Sequence, residues 1–294
     1  MEYQNSKNEN FPKNTFYTSN GISIYLDDTR RILSEFPEKS FQSCITSPPY
    51  WGLRDYNHDN QIGSEENVND YISDLVHVFR DIRHLLADDG TFWLNIGDAY
   101  TSGGRTWRAP DRKNPGRAMT YRPKTPEGLK PKDLIGLPWR LAFALQEDGW
   151  YLRSDIIWNK PNCQPESVKD RLTRSHEYIF LFSKSKKYLF NQDAIKEPST
   201  TNNSLKNRRS VWNLNTEGFK GAHFAVFPES LVQLCLLAGS NEGHSIIDPF
   251  LGSGTVGAVS KKLNRNCVGI EINESYANIA KERIDNTINY KNLI

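Results

Sequence analysis

Apolar residues recur along the chain in two alternating rhythms. Tyr71, Ile72, Leu75, Val76, Phe79, Ile82 and Leu86 fall three and four positions apart, which gathers them on one face of a helix. Asn69 or Asp70 is the expected cap of that helix and Asp89-Gly90 its stop, and the apolar run at 91–96 then reads as a strand. The same grammar returns downstream. Residues 134–146 have helical spacing, Asp148-Gly149 ends them, and 151–158 read as a strand. Runs at 178–182 and 187–190 are expected to pair as a hairpin. The stretch 41–46 reads as a further strand, and near the end 245–248 and 267–270 read as short buried strands flanking a helix over 255–263. Strands and helices taken in turn predict an α/β domain with a doubly wound, mostly parallel sheet. No apolar run has the length of a membrane span, and no segment repeats.

At 294 residues the chain has the length of one large domain with an appended element. The first twenty residues are polar and rich in Asn, without the apolar core of a signal segment. Four cysteines with no C-x-x-C pairing suggest a reducing, cytoplasmic setting and no zinc site. The six histidines lack a matching ligand cluster, so no metal is expected.

A net charge of +2 is unremarkable until its distribution is considered. Between positions 101 and 132, Arg105, Arg108, Arg112, Lys113, Arg117, Arg122, Lys124, Lys130 and Lys132 face only Asp111 and Glu127. Gly and Pro punctuate this stretch, so it cannot bury a core and reads as a basic loop suited to phosphates. A second basic region runs from Lys160 to Arg174 and on to Arg208 and Arg209. Residues 191–221 are polar, Asn- and Ser-rich and aperiodic, a composition that fits either base reading or a solvated linker.

The candidate chemistry sits at two strand ends. After the run 41–46, Ser47-Pro48-Pro49-Tyr50 places two ring-locked residues where a strand needs only to turn. The prolines have no N–H, which leaves their carbonyls and the Ser47 hydroxyl as acceptors, a socket for an amine. Tyr50 and Trp51 are expected to add flat faces beside it, as a planar amino-bearing ring requires. A strand-ending turn with aromatic packing would explain these residues taken alone.

The second strand end is Asp248-Pro249-Phe250-Leu251-Gly252-Ser253-Gly254-Thr255, a strand, glycine loop and helix start. The next strand ends at Glu271, a carboxylate placed to accept two ribose hydroxyls. Residues 252–257 match G-x-G-x-x-G, the dinucleotide fingerprint, but Asp248 puts a negative charge where a pyrophosphate would lie. S-adenosyl-L-methionine fits a glycine loop bracketed by two acids better, because it carries a ribose, an ammonium and a sulfonium.

With both motifs present and in this order, the chain resembles the permuted, beta-class amino-directed DNA methyltransferases, and its Thr46-Ser47-Pro48-Pro49-Tyr50-Trp51 is similar to the N4-cytosine group's catalytic motif. Segments 90–98, 150–158 and 222–228 resemble further parts of that family. The resemblance implies catalysis by Ser47, Pro48, Pro49 and Tyr50 on the exocyclic amine of a flipped base. It implies S-adenosyl-L-methionine contacts from Asp28, Phe227, Asp248, Phe250, Gly252, Gly254, Thr255 and Glu271, with Asp27 an alternative to Asp28. Double-stranded DNA is the implied partner, contacted by Arg105, Arg108, Arg112, Lys113, Arg117, Arg208 and Arg209, and a cognate restriction endonuclease would act on the same site. On this reading 1–20 is a tail, 21–190 the catalytic part, 191–221 the target-recognition region and 222–294 the cofactor-binding part of the same domain. Serine at position 47 favours cytosine N4, with adenine N6 the alternative; a catalytically silent DNA-binding relative is the reading from another class. No cysteine follows a proline as a C5 nucleophile would, and Cys44, Cys235 and Cys267 lie in apolar runs.

Overall fold

The computed structural model describes residues 10–53, 58, 61–101, 123–199, 204–217 and 227–288. The strands are β1 (Tyr17–Ser19), β2 (Ile22–Leu26), β3 (Phe41–Thr46), β4 (Leu86–Ile96), β5 (Tyr151–Asn159), β6 (His176–Ser183), β7 (Glu197–Pro198), β8 (Leu205–Lys206), β9 (Val211–Asn213), β10 (Ser245–Asp248) and β11 (Asn266–Glu271). The helices are α1 (Thr29–Ile32), α2 (Val68–Leu85), α3 (Leu137–Glu147), α4 (Glu229–Gly239), α5 (Thr255–Lys262) and α6 (Glu274–Asp285). Nine strands form one sheet in the order β1-β2-β11-β10-β3-β4-β6-β5-β9. Within it β1 and β6 run against the rest, so the sheet is mostly parallel.

The apolar strands lack polar alternation because both faces are covered. Cys44, Phe92, Phe180 and Ile247 pack on one side against Leu75, Phe79 and Ile82 of α2 and Leu141 and Leu145 of α3. Their neighbours Ile45, Trp93, Ile179 and Ile246 point the other way, onto Leu231, Val232 and Leu236 of α4, Val256 and Val259 of α5 and Ala280 and Ile284 of α6. This is the expected α/β architecture, with helices on both faces.

Two expectations are corrected. Helix α2 is capped by Asn67, whose side chain accepts from the Asn69 and Asp70 amides at 2.8 and 3.1 Å, and it stops at Leu85 rather than at Asp89-Gly90. The register explains the early stop: Leu86 pairs with Phe41 and Thr91 with Ser43, so the residues between are drawn into the start of β4 as a bulge. Residues 187–190 form no hairpin strand, because both edges of β6 are already taken by β4 and β5.

Candidate active site

All the parallel strands finish along one edge of the sheet, and β6, running the other way, starts there. Thr46, Asp248, Glu271, Asn95 and Asn159 stand at or near the strand ends on this edge, joined by Glu177 from the start of β6. In open α/β sheets this is the edge where ligands bind. The Thr46 hydroxyl donates to Asp248 Oδ1 at 2.6 Å, which ties the residue before Ser47 to the acid before the glycine loop. The two sequence motifs are therefore neighbours in space.

The Ser47-Pro48-Pro49-Tyr50 corner is held from behind. Tyr71 of α2 donates to the Pro49 carbonyl at 2.9 Å, so this oxygen is spoken for; none of the described residues donates to the Pro48 carbonyl. Trp51 does not flank the socket as expected. It is 4% exposed, packed in the core with its Nε1 donating to the Glu65 carbonyl at 2.9 Å, which leaves Tyr50 as the motif's aromatic face.

Three residues that sequence reasoning missed complete this corner. The Tyr50 hydroxyl donates to Glu177 Oε2 at 2.8 Å, and Ser47 Oγ lies 3.4 Å from the Tyr50 oxygen. Asn95 Nδ2 lies 3.2 Å from Ser47 Oγ, 3.1 Å from the Tyr50 oxygen and 3.1 Å from Glu177 Oε2. Lys160 at the end of β5 closes an ion pair on Glu177 Oε1. Burial pushes the Tyr50 phenol well above its ordinary range, and the Glu177 charge adds to the shift. Burial would likewise raise Glu177, but Lys160 and the hydrogen bonds from Tyr50 and Asn95 outweigh it and hold the carboxyl below its usual value. The available signal was a Glu opening the apolar run 178–182; its meaning depended on an antiparallel strand that starts where its neighbours end.

On the cofactor side, Gly252 and Gly254 both take positive φ, and a Cβ on Gly254 would lie 2.8 Å from Ala280 Cβ of α6. Glu271 is 8% exposed; its Oε2 accepts from the Gly252 amide at 2.8 Å and its Oε1 from the Asn273 amide at 2.9 Å, while burial lifts its pKa to about 6. Asp248 is 1% exposed, its Oδ2 has no partner among the described residues, and burial lifts its pKa to about 7. Thr255 turns its hydroxyl to Arg283 at 2.8 Å, and Phe250 packs edge-on against Phe79. Asp28 caps α1 and pairs with Arg30 at 2.6 Å, whereas Asp27 pairs with Arg31 and is bonded through its amide to the Glu271 carbonyl. Phe227 leads into α4 and packs on the core beside it. Two buried acids, an orphaned carboxylate oxygen and the open space beside Gly252 fit the amino-acid and ribose portions of S-adenosyl-L-methionine.

Asp98 does not join this edge chemistry; it accepts from the Gly136 and Leu137 amides at 3.0 Å and caps α3. Arg105, Arg108, Arg112, Lys113 and Arg117 lie outside the described residues. Arg208 and Arg209 precede β9 and gather around Glu197, at 4.0 and 3.1 Å. Burial raises the thiols of Cys44, Cys235 and Cys267, as buried thiols require. Among the described residues no group of three His, Cys, Asp or Glu is placed to hold a metal, and no helix is long and apolar enough to cross a membrane.

A glycine loop with a buried acid on the next strand, joined through Asp248 to the Ser47-to-Tyr50 corner at the same sheet edge, is the layout of a methyltransferase. The fold agrees: the cytosine-N4-specific PvuII DNA methyltransferase superposes with a TM-score of 0.72 at 20% identity, covering 97% of this chain and 94% of that one. The Thermus thermophilus protein TTHA0409, solved with S-adenosyl-L-methionine, gives 0.60 at 23% identity over 89% and 93%. In sequence the chain is 66% identical over 262 residues to the type II methyltransferase M.SmaI of Serratia marcescens, spanning 89% of this chain and 90% of that protein. The DNA methylase family matches residues 41–282, and the chain belongs to it. It is a DNA methyltransferase.

Proposed function

We propose that the enzyme methylates the exocyclic N4 amine of a cytosine flipped out of duplex DNA, as the modification half of a restriction system. The observation that carries this reading is the joined corner: Ser47 Oγ within 3.2 Å of Asn95, and Thr46 bonded at 2.6 Å to the acid that opens the cofactor loop. Serine at the motif's first position and the fold shared with the cytosine-N4-specific PvuII enzyme support cytosine; the likeness to M.SmaI supports a cognate endonuclease.

Ser47 Oγ and the Pro48 carbonyl accept the two amine hydrogens. This draws the nitrogen toward a pyramidal form whose lone pair leaves the ring and faces the methyl. Tyr50 stacks on the base. Glu271 would accept the ribose hydroxyls, Asp248 Oδ2 would take the ammonium, and Asp28 would stand at the adenine. The bound cofactor supplies an electrophilic methyl on a sulfonium. The residues position and polarise the amine, and no covalent intermediate forms.

Incubation with labelled cofactor and mixed-sequence DNA, followed by digestion to nucleosides, tests this. N4-methylcytosine is expected; N6-methyladenine would transfer the reading to adenine, and no labelled nucleoside would remove it. A Ser47→Ala variant is expected to lose about 100-fold or more in kcat while still binding cofactor.

A further inference from the structure

The motif needs a serine oxygen, a proline carbonyl and an aromatic ring to hold an amine, yet the structure backs them with a charge. Glu177 and Lys160 are each only 16% exposed in their side chains, and their ion pair sits beneath Tyr50 with Lys160 also 4.2 Å above the Trp158 ring. Burying such a pair brings little stability, since desolvation offsets the attraction. The surroundings are nonetheless shaped for it: a Cβ on Gly97 would come within 2.8 Å of Tyr50 Cε2 and 3.3 Å of the Glu177 carboxyl carbon. Glycine there lets phenol and carboxylate meet.

The hydrogen bonds have a direction. The Ser47 hydroxyl points to the Tyr50 oxygen at 3.4 Å, and the Tyr50 hydroxyl points to Glu177 Oε2 at 2.8 Å. Asn95, with two N–H groups spread over Ser47, Tyr50 and Glu177, holds the three oxygens in register. We infer that Glu177, paired with Lys160, is the positioning residue for Ser47 and Tyr50 and the end point of a relay that removes the proton released by amine methylation. The inference rests on the amino-methyltransferase reading above and applies to either base.

In the transfer step the amine nitrogen spends its lone pair on the new bond to the methyl carbon, and the electron pair of the broken carbon–sulfur bond stays on sulfur. The nitrogen then carries a positive charge and two hydrogens. One passes to Ser47 Oγ as the serine proton moves to the Tyr50 oxygen and the tyrosine proton to Glu177 Oε2; the N–H electrons return to nitrogen, leaving a neutral methylamine. Glu177 ends neutral beside Lys160, and its proton leaves to water before the next turnover. A carboxylate held below its usual range is suited to this task, because an aromatic amine without its lone pair is a strong acid. The charged or titratable groups facing Glu177 are Lys160 from β5, Tyr50 from the corner after β3 and His176 on its own strand.

Single-turnover methyl transfer to DNA at saturating cofactor, read across pH 4 to 9, tests the relay. Glu177→Gln keeps the shape but cannot take the proton, and is expected to slow transfer by about 100-fold or more, with cofactor affinity by calorimetry and DNA affinity within twofold of the parent. Lys160→Met is expected to move the acid limb of the profile upward by about one unit, and Lys160→Arg to restore it. Transfer by Glu177→Gln within threefold of the parent rate, or an unmoved limb in Lys160→Met, overturns the relay. A purely structural pair would instead lower the melting temperature and cofactor affinity and leave the limb in place. Should Glu177→Gln not fold, Tyr50→Phe cuts the relay with the carboxylate intact and is expected to slow transfer as strongly; a parent-like rate there overturns it too. A parent enzyme that methylates no nucleoside removes the amino-methyltransferase reading itself, a result distinct from active variants beside an active parent.

Discussion

Asp248 and Glu271 show how far single residues can be read from their surroundings. Burial raises both acids, to about 7 and about 6 in the cofactor-free fold, against roughly 4 in an unfolded chain. The folded state therefore binds protons more tightly between pH 4 and 7, so the contribution of these two residues to stability rises as pH falls through that window, and their cost is fully present above pH 7. His176, whose protonation is disfavoured by burial, acts in the opposite sense. The comparison of Asp248→Asn with the parent isolates the acid: the difference in melting temperature in the variant's favour should be greatest at pH 8 and shrink toward pH 5.5. On the proposed cofactor contacts binding needs both acids ionised, so calorimetry should find it about 100-fold weaker at pH 5.5 than at pH 8. Gly254 is the sharper case. At φ +80°, with Ala280 Cα only 2.9 Å from where a Cβ would stand, Gly254→Ala must shift α6 and is expected to destabilise by roughly 2–3 kcal/mol in denaturant titration, with cofactor affinity lost in parallel.

At the level of elements, what could be read in the sequence was what is local. The bounds of β3 and β10 followed directly from short apolar runs, and the α5 start at Thr255 followed from the glycines before it. What could not be read was pairing. Strand β6 takes both neighbours' edges, which denies residues 187–190 a partner, and the bulge in β4 that shortens α2 arises from register against β3. The same limit hid Asn95, Glu177 and Lys160: they come from three different elements and meet only because β6 is reversed. Helix α2 carries a consequence of its own, since its Tyr71 holds the Pro49 carbonyl from behind. Tyr71→Phe removes one hydrogen bond and should cost about 1 kcal/mol of stability. It should also lower kcat severalfold through a loosened Ser47-to-Tyr50 corner while leaving cofactor affinity unchanged, because Tyr71 bonds the corner at Pro49 and α2 meets the cofactor loop through Phe79, which the substitution keeps. Equal losses in kcat and cofactor affinity would show that the helix braces the whole edge instead.

For the molecule as a whole, the sheet delivers every chemical group to one edge, and charge must bring DNA to that edge. The net charge of +2 is too small to do this by itself, so the distribution matters. The basic stretch leaves and rejoins the described fold at this edge: Tyr100 bridges to Leu134, the Thr101 amide is bonded to the Asp133 carbonyl at 3.0 Å, and Arg171 lies 4.1 Å above the Tyr100 ring. These contacts close the base of the segment. Replacing residues 103–121 by a short Gly-Ser linker should therefore leave the melting temperature and cofactor affinity near the parent's, while DNA affinity falls and the slope of log K against log salt flattens by about 0.9 for each phosphate contact removed. Because phosphate contacts carry no sequence information, the loss should be equal for DNA with and without the target site. A loss confined to target DNA would instead place base reading in this stretch, and the segment over 191–221 would then have to be reassigned to the sheet edge that β9 already forms.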